Sequence, residues 1–96
     1  MAETFHPPDA LQIEVAASVN KQLPLGAQVN LFRVTHDDGQ PDGSGIVYQY
    51  GPQRATVRTV GPIGPEDVSE IVEGVKGWIT EMRFKARWTE DPGEAA

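Results

Sequence analysis

The chain has 96 residues, 14 acidic and 8 basic, for a formal charge of −6. That length suits one domain and leaves little room for two, and the lack of cysteine excludes disulfides, zinc–thiolate sites and iron–sulfur clusters. The acidic balance argues against nucleic acid and anionic membranes as general partners, and no stretch approaches the ~18 continuous apolar residues of a membrane helix.

Residues 1–8 read as a flexible tail. They lack the basic and apolar regions of a secretory signal, and Pro7-Pro8 excludes a helix through them. The expected location is therefore the cytoplasm. Asp9 can cap a first helix. Leu11, Val15 and Val19 then fall at four-residue spacing with Ala16 beside them, and Pro24-Leu25-Gly26 supplies a stop. Leu11, Ile13, Val15, Ala17 and Val19 also alternate as in a strand, so residues 9–23 carry two readings. The helix is favoured by propensity and by the Asp9 cap.

Val29 to Thr35 reads as a strand, Asp37 to Gly45 as a polar loop and Ile46 to Tyr50 as a second strand. Gly51-Pro52-Gln53-Arg54 is a tight connection to a third strand, Ala55 to Val60, which predicts an antiparallel hairpin. Pro65 suits a first helical turn, and Glu66 and Asp67 suit its positive end. Val68, Ile71, Val72, Val75, Trp78, Ile79 and Met82 repeat with helical spacing, the clearest periodic signal in the chain. Glu90 to Ala96 reads as a flexible acidic tail. The expected fold is α+β: a three-stranded antiparallel sheet flanked by an N-terminal and a longer C-terminal helix, in α-β-β-β-α order, within a single domain over 9–89.

Double-stranded-RNA-binding domains share that order. Their basic cluster at the start of the last helix is replaced here by Glu66, Asp67, Glu70 and Glu73, so the family is rejected. The Asp37–Gly45 loop holds three carboxylates, but an EF-hand register from Asp38 ends on Gln49 instead of glutamate. Gly61-Pro62-Ile63-Gly64 lacks the lysine and hydroxyl of a phosphate loop. His36 stands beside Asp37 and Asp38 and is the one candidate general base. Tyr48 and Tyr50 share a strand face, with Arg54 and Arg58 in the hairpin partner. Gly74 and Gly77 lie near one side of the last helix, where the first helix, a strand or a second copy can approach.

The segment Arg83-Phe84-Lys85-Ala86-Arg87-Trp88 is the most informative. Continued as a helix, it sets Phe84 and Trp88 together at i, i+4, away from the Val68–Met82 stripe. Aromatics among arginines have the composition of an interface anchor. Read as a strand, Met82, Phe84, Ala86 and Trp88 turn inward instead. The expectation is a non-catalytic protein–protein interaction module: an accessory subunit, an inhibitor or immunity-type protein, or a small assembly component of the kind prokaryotes encode. Phe84 and Trp88 are its apolar anchors, with Arg83 and Arg87 as charged neighbours. The partner is a protein of unknown identity. Self-association is a further expectation, through the glycine side of the last helix or a free sheet edge. The alternatives are a nucleic-acid-associated protein using residues 83–88 with Arg54 and Arg58, and a small enzyme using His36. No catalytic residue, metal ligand or cofactor is assigned.

Overall fold

The computed structural model describes residues 2–89, with side chains to Arg83. The elements run β1 (Glu3–His6), α1 (Ala10–Asn20), β2 (Ala27–His36), β3 (Gly43–Tyr50), β4 (Gln53–Val60), a short 3-10 turn (Pro65–Asp67) and α2 (Val68–Thr89). The sheet is therefore four-stranded and antiparallel in the order β1-β2-β3-β4, not three-stranded. The strand that corrects the expected α-β-β-β-α order is β1, within the residues read as an N-terminal tail. With it the order no longer matches that of the RNA-binding domains.

β1 escapes a local reading because its stabilisation is not local. It pairs with the far end of β2, Glu3 against His36 through His6 against Arg33. The Ala2 backbone N–H donates a further hydrogen bond to Asp37 Oδ1 at 2.9 Å. Pro7-Pro8 then turns the chain off the sheet edge and into α1, where a proline costs no ladder bond.

α1 settles the ambiguity over residues 9–23 in favour of the helix. Asp9 Oδ1 accepts from the Gln12 backbone N–H at 2.8 Å, and Gln12 Oε1 accepts from the Asp9 N–H at 3.1 Å. This reciprocal cap satisfies two orphan donors of the first turn. The buried face carries Gln12, Val15 and Val19, while Leu11 is 40% exposed. The stripe is thus one residue out from the expected Leu11 start. At the other end Asn20 clamps β2: its Oδ1 accepts from the Val29 N–H at 2.7 Å and its Nδ2 donates to the Val29 carbonyl at 3.2 Å.

Both helices lie on one face of the sheet, and the core forms between them. Val15 and Val19 of α1 meet Val29 and Leu31 of β2, Ile46 and Tyr48 of β3, and Ile71, Val72, Val75 and Ile79 of α2, with Ile63 closing one end. Val68 and Trp78 pack at its margin. α2 stays helical through Thr89, so the strand reading of residues 82–88 does not hold. Of the two helical glycines, Gly74 lies under Tyr48, where a β-carbon would meet the hydroxyl at 2.7 Å. The approaching element is thus β3. Burial, with the Glu70 carboxylate adding to it, pushes the Tyr48 phenol up. Gly77 has nothing within 4 Å of a β-carbon position.

β3 begins at Gly43, three residues before the expected start, so the glycine-rich half of the loop is strand. Its glycines make room for neighbours. A β-carbon at Gly45 would stand 2.0 Å from the ring of Phe32, its cross-strand partner.

Candidate interaction site

Two turns meet at the hairpin end of the sheet. The first joins α1 to β2: the Ala27 N–H donates to the Pro24 carbonyl at 3.0 Å, and Gly26 has φ +89°. A type II turn needs a positive φ at its third position, which is why glycine stands there. Such a turn projects its second residue outward, and Leu25 is 99% exposed. The second turn is the β3–β4 hairpin at Gly51-Pro52, with Gly51 at φ +58°. A 3.2 Å bond from the Gly51 N–H to the Gly26 carbonyl joins the two.

α2 passes this end of the sheet and completes a groove of about 510 Å³. Leu25, Tyr50, Pro52, Met82 and Arg83 line it. Arg83 donates from Nη2 to the Tyr50 hydroxyl, and its guanidinium carbon lies 5.2 Å from the Tyr50 ring centroid. The Tyr50 hydroxyl and ring together hold the guanidinium at this groove, and a cation so held is the kind of group a carboxylate pairs with. The groove combines an apolar floor, an exposed leucine and an oriented cation.

Of the expected contact residues, Arg83 lies on this groove. Phe84, Arg87 and Trp88 follow it along the helical backbone of α2, but their side chains fall outside the described residues. Leu25, Pro52 and Met82 were not among the expected contacts. The signal for Leu25 was present in Pro24-Leu25-Gly26, where a leucine before the glycine of a type II turn has no neighbour to bury it.

The expected grouping of Tyr48 and Tyr50 with Arg54 and Arg58 is not formed. Register places Gln49 opposite Arg54 and Gly45 opposite Arg58. Alternation then sets both arginines on the open face, while both tyrosines face the helices. Arg58 reaches across the glycines of β3. Its Nη1 lies 2.5 Å from Glu3 Oε2, and its guanidinium carbon lies 4.9 Å from the Phe5 ring centroid. Phe5 meets Phe32 edge-on at 5.3 Å between centroids. His36 Nε2 lies 3.2 Å from Glu3 Oε2, so this histidine faces a carboxylate from β1 rather than one of its own loop.

This cluster holds β1. The Arg58 guanidinium beside Glu3 keeps its carboxyl below the usual carboxylate range; burial opposes the shift and His36 adds to it. A carboxyl depressed in the folded state stabilises the fold above its unfolded pKa and loses that contribution as pH falls through the folded value. Acidification below the ordinary carboxylate range is expected to release β1 before the rest of the sheet. Loss of strand chemical shifts at residues 3–6 reads this out, and Glu3→Gln should show the same loss at neutral pH. Unchanged shifts in Glu3→Gln would mean that backbone pairing and Phe5 hold the strand alone.

A second cleft, of about 440 Å³, opens at the opposite end, lined by Asp9, Gln12, Arg33, Asp42 and Ser44 among others. Its buried polar groups already serve the fold. Gln12 Nε2 donates to Ser44 Oγ at 2.8 Å and to the Phe32 carbonyl at 3.3 Å. Among the described residues no three histidine, aspartate or glutamate side chains converge as a metal site, and no helix is long and apolar enough to cross a membrane. Comparison with protein-family models, curated proteins and solved structures finds no match.

Proposed function

We propose that this protein is a non-catalytic binding module whose docking surface is the hairpin-end groove and the last turns of α2. The observation that carries this is Leu25, 99% exposed on a glycine-fixed turn that shares a groove with Arg83, itself held against Tyr50. A large apolar side chain held out by a rigid turn gains nothing for the fold, and apolar anchors beside an oriented arginine are what protein interfaces concentrate. Phe84 and Trp88 follow Arg83 in the sequence of α2. Arg83, Lys85 and Arg87 place three cations at one end of an otherwise acidic chain. The partner that fits is a protein segment with an apolar anchor flanked by carboxylates. Self-association and a cytoplasmic location belong to the same proposal.

The nucleic-acid alternative is less well supported. Arg54 and Arg58 stand on the opposite face from the groove, and Arg58 is paired with Glu3. The test is a photoreactive residue at position 25, irradiated in native lysate at low and high salt. A discrete protein adduct at both salts, lost with Arg83→Glu or with Phe84→Ala/Trp88→Ala, is the expected result. Nucleic acid recovered only at low salt, the signature of phosphate contacts, would overturn it, as would the absence of any discrete adduct.

A further inference from the structure

The two edges of the sheet differ in kind. β1 is four residues long and runs into Pro7-Pro8. Short strands and prolines are how proteins blunt an edge. β4 is eight residues long, contains no proline, and is exposed at most positions. No element among the described residues pairs with its outer side.

The direction of its free backbone groups follows from the hairpin. Tyr50 and Gln53 close a two-residue loop and face each other. The closing pair of such a hairpin is hydrogen-bonded, and alternate residues of the strand turn their N–H and C=O away. Gln53, Ala55, Val57 and Thr59 therefore bond inward to β3, while Arg54, Thr56, Arg58 and Val60 offer their groups to the outside. The Gly61 N–H, next in the inward series, indeed donates to Asp42 of the β2–β3 side at 2.8 Å.

We propose that this edge pairs with the same edge of a second copy, antiparallel about a two-fold axis at Val57. Outward residues must meet outward residues, so the axis has to pass through a residue. An axis at Thr56 sets Arg54 against Arg58 twice, and an axis at Arg58 sets Arg58 against itself. Like charges directly opposite are destabilising. An axis at Val57 removes both conflicts. Arg58 then faces Thr56 of the second copy, Arg54 faces Val60, and all four outward residues find partners. On the open face, Val60, 82% exposed in one chain, is covered by the Arg54 stem. On the helix face Val57, 38% exposed, meets Val57 of the second copy at the axis. Trp78 adds apolar surface there. It packs on Tyr48 at 5.8 Å between centroids, and Tyr48 is the cross-strand neighbour of Ala55. The result is one continuous eight-stranded sheet, distinct from the Leu25 groove.

The experiment is sedimentation of the full chain over a concentration series, with single-cysteine variants of a chain that has no cysteine. The wild type is expected to show a monomer–dimer equilibrium. Val57→Cys is expected to form a disulfide dimer under mild oxidation. Facing residues that share no hydrogen bond stand about 4.5 Å apart at Cα, within disulfide range. Ala55→Cys, on the same face, is expected not to link, because it faces Thr59. Thr56→Pro removes an outward donor, is tolerated on an edge strand, and should give a folded monomer by circular dichroism. Thr56→Lys, which sets lysine against Arg58, gives the same readout if proline unfolds the strand. A wild type monomeric at every concentration overturns the proposal. So does a dimer that Ala55→Cys links as readily as Val57→Cys, or one that survives both Thr56 variants.

Discussion

Gly43→Ala is expected to lower the unfolding free energy by about 3 kcal/mol, the upper end of what overpacking costs. A β-carbon at Gly43 would stand 2.1 Å from the Thr59 carbonyl oxygen and 3.2 Å from its carbonyl carbon. The obstacle is backbone, held on both sides by the β3–β4 ladder, so it cannot swing aside as a side chain does. Gly45→Ala makes a useful contrast. Its obstacle is the far end of the Phe32 side chain, which, unlike backbone, can shift at the expense of its contact with Phe5. Urea unfolding monitored by tryptophan fluorescence measures both. For a domain whose total stability is of order 5–15 kcal/mol, the Gly43 change should move the midpoint well outside error. An unchanged midpoint would mean that the strands are further apart at this point than described.

Gln12→Ala is expected to cost about 2–3 kcal/mol, from a buried hydroxyl left without its partner and loss of the side-chain half of the α1 cap. Gln12 is 3% exposed and Ser44 2% exposed. The glutamine amide closes the α1 cap with one end and bonds Ser44 and the Phe32 carbonyl with the other. Removing one partner strands the other, whereas removing both leaves less unsatisfied. The double variant Gln12→Leu/Ser44→Ala should therefore be more stable than Gln12→Ala alone. Equal losses in the two, in the same urea titration, would show that the cap and the Phe32 bond carry the whole effect.

Much of the fold could be read from local pattern. The Val68–Met82 periodicity located α2, the Asp9 cap located α1, and Gly51-Pro52 located the hairpin, because each is written within one turn or one loop of sequence. What could not be read was written across the sheet. Glu3–His6 looks like a tail until Phe32, His36 and Arg58 are brought beside it. Gly43-Ser44-Gly45 looks like loop until Phe32 needs the space. Leu11 has the right spacing for the core, but the buried position belongs to Gln12, whose partner Ser44 lies on another element. The same holds for the candidate site. Arg83 could be picked out from its aromatic and basic neighbours along the helix. Leu25 and Pro52 reach it only through the joining of two turns, and the separation of Arg54 and Arg58 from the tyrosines follows from strand register.

The placement of β1 also sets an order in time. Glu3 waits for His36, and for Arg58, which is 55 positions away in the chain. Contacts at such separation close late, since the intervening chain must be ordered first. During synthesis β1 leaves the ribosome ahead of the strands it joins, yet it has nothing to pair with until β2 is complete and nothing to hold its carboxylate until β4 is nearly so. Of the four strands of this sheet, the earliest made is thus the last to be locked, and until then the far end of β2 is an open edge on the nascent chain.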